Sequence, residues 1–173
     1  MVEREVVISE AAIASRVREL GERIRREYAG RPLVLVGILN GAFIFTADLA
    51  RAIDLPLEVD FIRVASYGKG TCSSGTISLT KDIELDIGGK EVLLVEDIVD
   101  TGRTLACLTE MLAARAPASL KICALIDKQE RREVAVTVDY AGFTVADGFL
   151  VGYGLDCAER YRNLPAVYRL LNP

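Results

Sequence analysis

Three runs constrain this chain more than any other feature: PLVLVGI (32–38), EVLLV (91–95) and LKICALID (120–127). They stay largely apolar from residue to residue, without the alternation of a strand that has one wet face, so each must be covered on both sides. Helical spacing fills the gaps between them. Ile13, Val17, Leu20 and Ile24 recur after Ser9, a good N-cap, until Gly30; AFIFTADLARAI follows the second turn; Leu105, Leu108 and Leu112 precede Pro117. Buried strands alternating with helices specify an α/β fold, a parallel twisted sheet flanked by helices.

Two stretches break this rhythm. LEVDFIRVASY (57–67) reads as a strand, but residues 68–82 are glycine, serine and threonine with little to bury, and loops this long in compact domains are usually lids. After Lys128 the runs become short and aromatic, with glycines and no long helix. The expectation is a single domain over 1–173, with a core of about 1–127 carrying a small C-terminal hood of about 128–173.

Composition narrows the chemistry. The 173 residues, 51% hydrophobic, suffice to bury a core without metals or disulfides. Four cysteines form no C-x-x-C pair and read as reduced thiols, Cys107 and Cys123 as small core residues. With no histidine, Ser-His and Cys-His catalysis are excluded, so a general base must be a carboxylate, lysine, tyrosine or the substrate. A net charge of −4 and interspersed signs disfavour a nucleic-acid partner. The charged N-terminus is unlike a signal peptide and no apolar run reaches membrane-spanning length, so a cytoplasmic protein with no membrane partner is expected.

The chemistry concentrates in VLLVEDIVDTGRTL (92–105), a buried strand that releases Glu96, Asp97 and Asp100 within five positions. In open α/β sheets ligands sit beyond the carboxyl ends of the strands. There Asp100-Thr101-Gly102-Arg103-Thr104 leads into a helix whose first N–H groups lack partners, and glycine allows an anion close approach. Two further carboxylates would repel an anion unless a divalent cation or a polyhydroxyl sugar intervenes. This residue mix asks for a sugar phosphate with magnesium. There is no G-x-x-x-x-G-K-[ST] motif, and GYGLDC lacks the third glycine of G-x-G-x-x-G.

The same stretch resembles the phosphoribosyl diphosphate signature of type I phosphoribosyltransferases. VGILNGAFIFTADL, VDFIRVASYG and DGFLVGYGLDCAERYRNLP extend the resemblance, over about residues 5–171, to the hypoxanthine-guanine phosphoribosyltransferases. The resemblance implies that Glu96 and Asp97 hold the ribose hydroxyls directly or through Mg2+, and that Asp100 to Thr104 wrap the 5-phosphate. It further implies that Asp100 is the proton acceptor, and that Leu39, Asn40, Gly41 and Arg162 bind pyrophosphate. Lys128 would reach the purine's six-oxo group, Phe149 would stack on the ring, Ile98 and the Leu150 backbone would meet it, and Asp156 would ligate a second magnesium. Ser66 and Tyr67 would open the lid. Asn40 and Gly148 stand where many relatives carry lysine.

The implied reaction transfers phosphoribosyl from phosphoribosyl diphosphate to hypoxanthine or guanine, releasing pyrophosphate, in a homodimer or homotetramer. The alternatives are a xanthine-preferring enzyme of the same fold and a catalytically weak RNA-binding regulator.

Overall fold

The computed structural model of the protein describes residues 3–65, 71–72 and 75–172. Its strands are β1 (Arg4–Ile8), β2 (Leu33–Leu39), β3 (Leu57–Ala65), β4 (Thr71–Cys72), β5 (Gly75–Thr76), β6 (Ser78–Lys81), β7 (Glu91–Val99), β8 (Ser119–Lys128), β9 (Tyr140–Val145), β10 (Phe149–Val151) and β11 (Val167–Leu170). Its helices are α1 (Glu10–Tyr28), α2 (Phe43–Ile53) and α3 (Arg103–Ala113).

The main sheet has the order β6-β3-β2-β7-β8-β9. Neighbours from β3 to β9 pair parallel, and only β6 at the edge runs antiparallel. The apolar runs explain this arrangement residue by residue. Leu33, Leu35, Leu93, Val95, Cys123 and Leu125 face one way, into a core shared with Ile13, Val17, Leu20 and Ile24 of α1 and Phe45, Leu49 and Ile53 of α2. Val34, Val36, Val92, Leu94 and Ile122 face the other, packing with Leu105, Leu108 and Leu112 of α3. An unbroken apolar strand thus splits into two sets of alternating residues, each with its own helical cover. Ser9 caps α1 as expected, its Oγ accepting from the Ala12 N–H at 3.1 Å.

The hood is a separate three-stranded sheet, β1-β11-β10, all antiparallel. Its boundary differs from the sequence reading at both ends. β1, near the N-terminus, belongs to the hood sheet, whereas β9 joins the main sheet beside β8. The cysteine expectation also needs correction: Cys123 and Cys157 are free, but Cys107 is disulfide-bonded. Cys107 is buried on α3, which packs beside the short β4 and β5, so this helix is tied covalently as well as by its apolar face. Among the described residues no helix is long and apolar enough to cross a membrane.

Candidate active site

The parallel order brings the carboxyl ends of β2, β7 and β8 side by side, and the sequence motifs meet there. β7 carries Glu96 and Asp97 in its last turnout of side chains, and Glu96 is only 9% exposed. Burial pushes the Glu96 carboxyl well above the usual carboxylate range, and the neighbouring Asp97 charge adds to it. Burial also raises Asp97, although Glu96, the Ile98 N–H and the Arg162 charge pull the other way. Local N–H groups hold both side chains: Asp97 N–H donates to Glu96 Oε1 at 3.0 Å, and Ile98 N–H to Asp97 Oδ1 at 2.7 Å. One buried and one half-buried acid with too little positive charge nearby suit a hard cation or a set of sugar hydroxyls.

β2 ends in a cis peptide between Leu39 and Asn40. Gly41 follows, and its α-carbon faces Asp97 so closely that an added methyl would overlap Oδ2. The Gly41 carbonyl in turn lies against Gly154, where a side chain would also collide. The loop at 39–41 is therefore packed between the β7 acids and the hood. Arg162 completes this side, donating to the Gly154 carbonyl at 2.7 Å and pairing with Asp156 at 3.1 Å and Glu159 at 3.1 Å. The pyrophosphate and metal candidates thus touch one another before any ligand is considered.

Beyond β7, Gly102 caps α3 in the left-handed region at φ 84°, with no side chain capping the helix. A small cavity of about 140 Å³ there is lined by Glu96, Ile98, Asp100, Thr101, Gly102 and Thr104. The Asp100 carboxylate is unevenly partnered. Oδ2 lies 3.4 Å from Arg131, whereas Oδ1 is buried with no hydrogen-bond partner among the described residues. On the next strand Lys128 is only 7% exposed and donates to the Gly148 carbonyl at 3.1 Å, with Glu130 at 3.5 Å. Phe149 is 46% exposed, available as a platform, while the Leu150 side chain is buried. A larger hollow of about 580 Å³ lies between α1, α2 and the hood, but its lining mixes Arg18 and Arg51 with Glu10 and Asp48 and gathers none of these groups.

A sequence model of the phosphoribosyl transferase domain matches residues 8–158. The chain belongs to the phosphoribosyltransferase family. It is 48% identical, over 96% of its length and 95% of the relative's, to the hypoxanthine phosphoribosyltransferase of Escherichia coli K12. It is 52% identical, over 94% of its length and 92% of the relative's, to the hypoxanthine-guanine phosphoribosyltransferase of Aquifex aeolicus. A crystal structure of a hypoxanthine-guanine phosphoribosyltransferase from Bacillus anthracis, with HEPES in its active site, superposes with a TM-score of 0.91 at 42% identity, covering 98% of both chains.

Within this phosphoribosyltransferase, the structure brings Leu39, Asn40, Gly41, Glu96, Asp97, Asp156 and Arg162 into one group. Asp100 to Thr104 sit beside it, Lys128 lies on the neighbouring strand β8, and Phe149 lies on β10 of the hood sheet. Ser66 and Tyr67 lie outside the described residues. Among the described residues no three His, Cys, Asp or Glu side chains gather as a metal cluster. Gly148 has a φ of 101°, and the Arg169 side chain occupies the space a Cβ would need there. Arg131 and Arg132 were not singled out by the sequence reading, although two consecutive arginines shortly after the β8 lysine were a usable signal.

Proposed function

We propose that this phosphoribosyltransferase moves the 5-phosphoribosyl group from phosphoribosyl diphosphate to hypoxanthine or guanine in purine salvage, giving the nucleoside monophosphate and pyrophosphate. The observation that carries the reading is Asp100 Oδ1, a buried acceptor with no partner, at the mouth of β7 beside the strand that ends in Lys128. An unsatisfied buried acceptor costs about 1–3 kcal/mol, and a ring N–H of a bound purine would relieve it.

In this reading the bond from the anomeric carbon to pyrophosphate breaks as the bond to the purine ring nitrogen forms. Asp100 receives the ring proton. Lys128, a donor with no acceptor, suits the six-oxo oxygen and rejects adenine's amino group. Phe149 stacks on the ring, with Ile98 and the Leu150 backbone at its edge, and Asp100 to Thr104 hold the 5-phosphate at the α3 N-terminus. Arg162 and the backbone of Leu39 to Gly41 hold pyrophosphate, with Asn40 contributing no charge. Glu96, Asp97 and Asp156 would hold Mg2+, which when bound neutralises charge on the diphosphate and leaving group. Assembly as a homodimer or homotetramer and residence in the cytoplasm accompany this reading.

Nucleotide formation from phosphoribosyl diphosphate and Mg2+, with hypoxanthine, guanine, xanthine and adenine in parallel, tests the reading. Product is expected with hypoxanthine or guanine and not with adenine; silence with all four bases would remove it. Lys128→Ala should lower kcat/KM for the preferred base by about 10–200-fold, the scale of one buried polar contact of about 1–3 kcal/mol.

A further inference from the structure

Asp100 follows the end of β7 and Lys128 ends the neighbouring β8, and something must fix their separation. Val99 opposite Asp127 is the last matched pair of the β7·β8 ladder. Asp100 lies past that point, where strand pairing no longer positions it. Arg132, in the turn after β8, reaches back across this gap. Its Nε donates to the Asp100 carbonyl at 3.0 Å, and its Nη2 lies 3.5 Å from the Val99 carbonyl and 3.4 Å from the Lys128 carbonyl. The same nitrogen pairs with the Asp127 carboxylate, and the two side chains are 18% and 14% exposed. One guanidinium thus joins the carbonyls of both candidate purine-binding residues while its charge is neutralised by Asp127, the residue before Lys128 on β8.

We propose that Arg132 is a positioning residue of this active site, holding the main chains of Asp100 and Lys128 at a set distance so that proton acceptor and six-oxo donor engage the purine together. The inference rests on the phosphoribosyltransfer reading above. It separates from the general folding of the loop because Thr101 has its own anchors: its carbonyl accepts from Glu133 N–H at 2.9 Å and Val134 N–H at 3.0 Å. The 5-phosphate turn thus has main-chain anchors of its own, whereas the Asp100 carbonyl is held by the Arg132 side chain. Lysine cannot substitute, because its ammonium is a single point, while the planar fork reaches several acceptors at once.

The test is a kinetic cycle of the full chain with Arg132→Lys, Asp100→Asn and the double variant, using phosphoribosyl diphosphate, Mg2+ and hypoxanthine, alongside melting curves. Arg132→Lys is expected to lower kcat about tenfold, within the scale of a small misplacement of a reacting group, and to leave KM for phosphoribosyl diphosphate within about twofold. In the Asp100→Asn background the same change should cost less than about twofold, because its effect runs through Asp100. Equal losses in both backgrounds, or wild-type kcat in Arg132→Lys, would overturn the proposal. If Arg132→Lys does not fold, Asp127→Asn, which releases the other end of the fork, goes through the same cycle with the same criteria. A wild-type enzyme that forms no nucleotide would sink the underlying reading and this inference with it; an active wild type with an additive cycle would sink this inference alone.

Discussion

Gly41 stands against the Asp97 carboxylate with no room for a side chain between them. The contact joins the end of β2 to the end of β7, so the loop assigned to pyrophosphate and an acid assigned to the ribose share one surface. Gly41→Ala should displace one or the other. A loss of about 10² in kcat/KM for phosphoribosyl diphosphate is expected, because a displacement near 1 Å at a reacting site has that scale. Initial rates checked against a melting curve decide it, and kcat/KM within threefold of wild type would show the contact to be idle.

Glu96 is costly to bury as a charge. Burial lifts its folded pKa above the unfolded value near 4.3, so its ionisation opposes folding progressively as pH rises past that value. Glu96→Gln should therefore stabilise the protein without ligands, by roughly 0.5–2 kcal/mol, with the gain larger at pH 8 than at pH 5. The same variant should raise KM for phosphoribosyl diphosphate at least about tenfold. Chemical denaturation at the two pH values reads the first effect, and a destabilised variant at pH 8 would contradict it.

Asp60 carries the opposite sign. Burial alone would raise its carboxyl, but the N–H groups of Leu85, Phe61 and Glu84 and the Lys81 ammonium outweigh it, and the net shift is downward. Those bonds, at 2.6–3.2 Å, fasten residues 81–85 onto β3 where the chain returns from the expected lid. Its contribution is complete above the unfolded pKa near 3.9 and fades as pH falls through the lowered folded value. Asp60→Asn should cost about 1–3 kcal/mol at pH 7 and progressively less in acid, measured by urea unfolding across that range. A cost that stayed constant down to pH 2 would contradict it.

Much of this was legible because it is local. The unbroken apolar runs announced strands covered on both sides, Ser9 announced the start of α1, and Glu96, Asp97 and Asp100 before Thr-Gly-x-Thr announced an acid-rich strand end leading into α3. What escaped depends on partners distant in sequence. β1 gains its place only from β11, with Arg4 opposite Leu170, and nothing within REVVI announces that neighbour. The packing of Gly154 on Gly41 and the reach of Arg132 to Asp100 arise from the meeting of separate loops. Cys107 looked like a core residue and is one, but burial carried no sign of its disulfide.

We propose a division of labour among three clustered acids, with Glu96 and Asp97 serving the sugar and its cation and Asp100 serving the base. Turnover of Asp100→Asn with hypoxanthine, paired with its affinity for phosphoribosyl diphosphate, tests that division most directly. The account predicts that kcat falls by about 10² or more, the scale of a lost general base, while diphosphate affinity changes far less. Near-normal turnover, or a loss confined to diphosphate affinity, would contradict it.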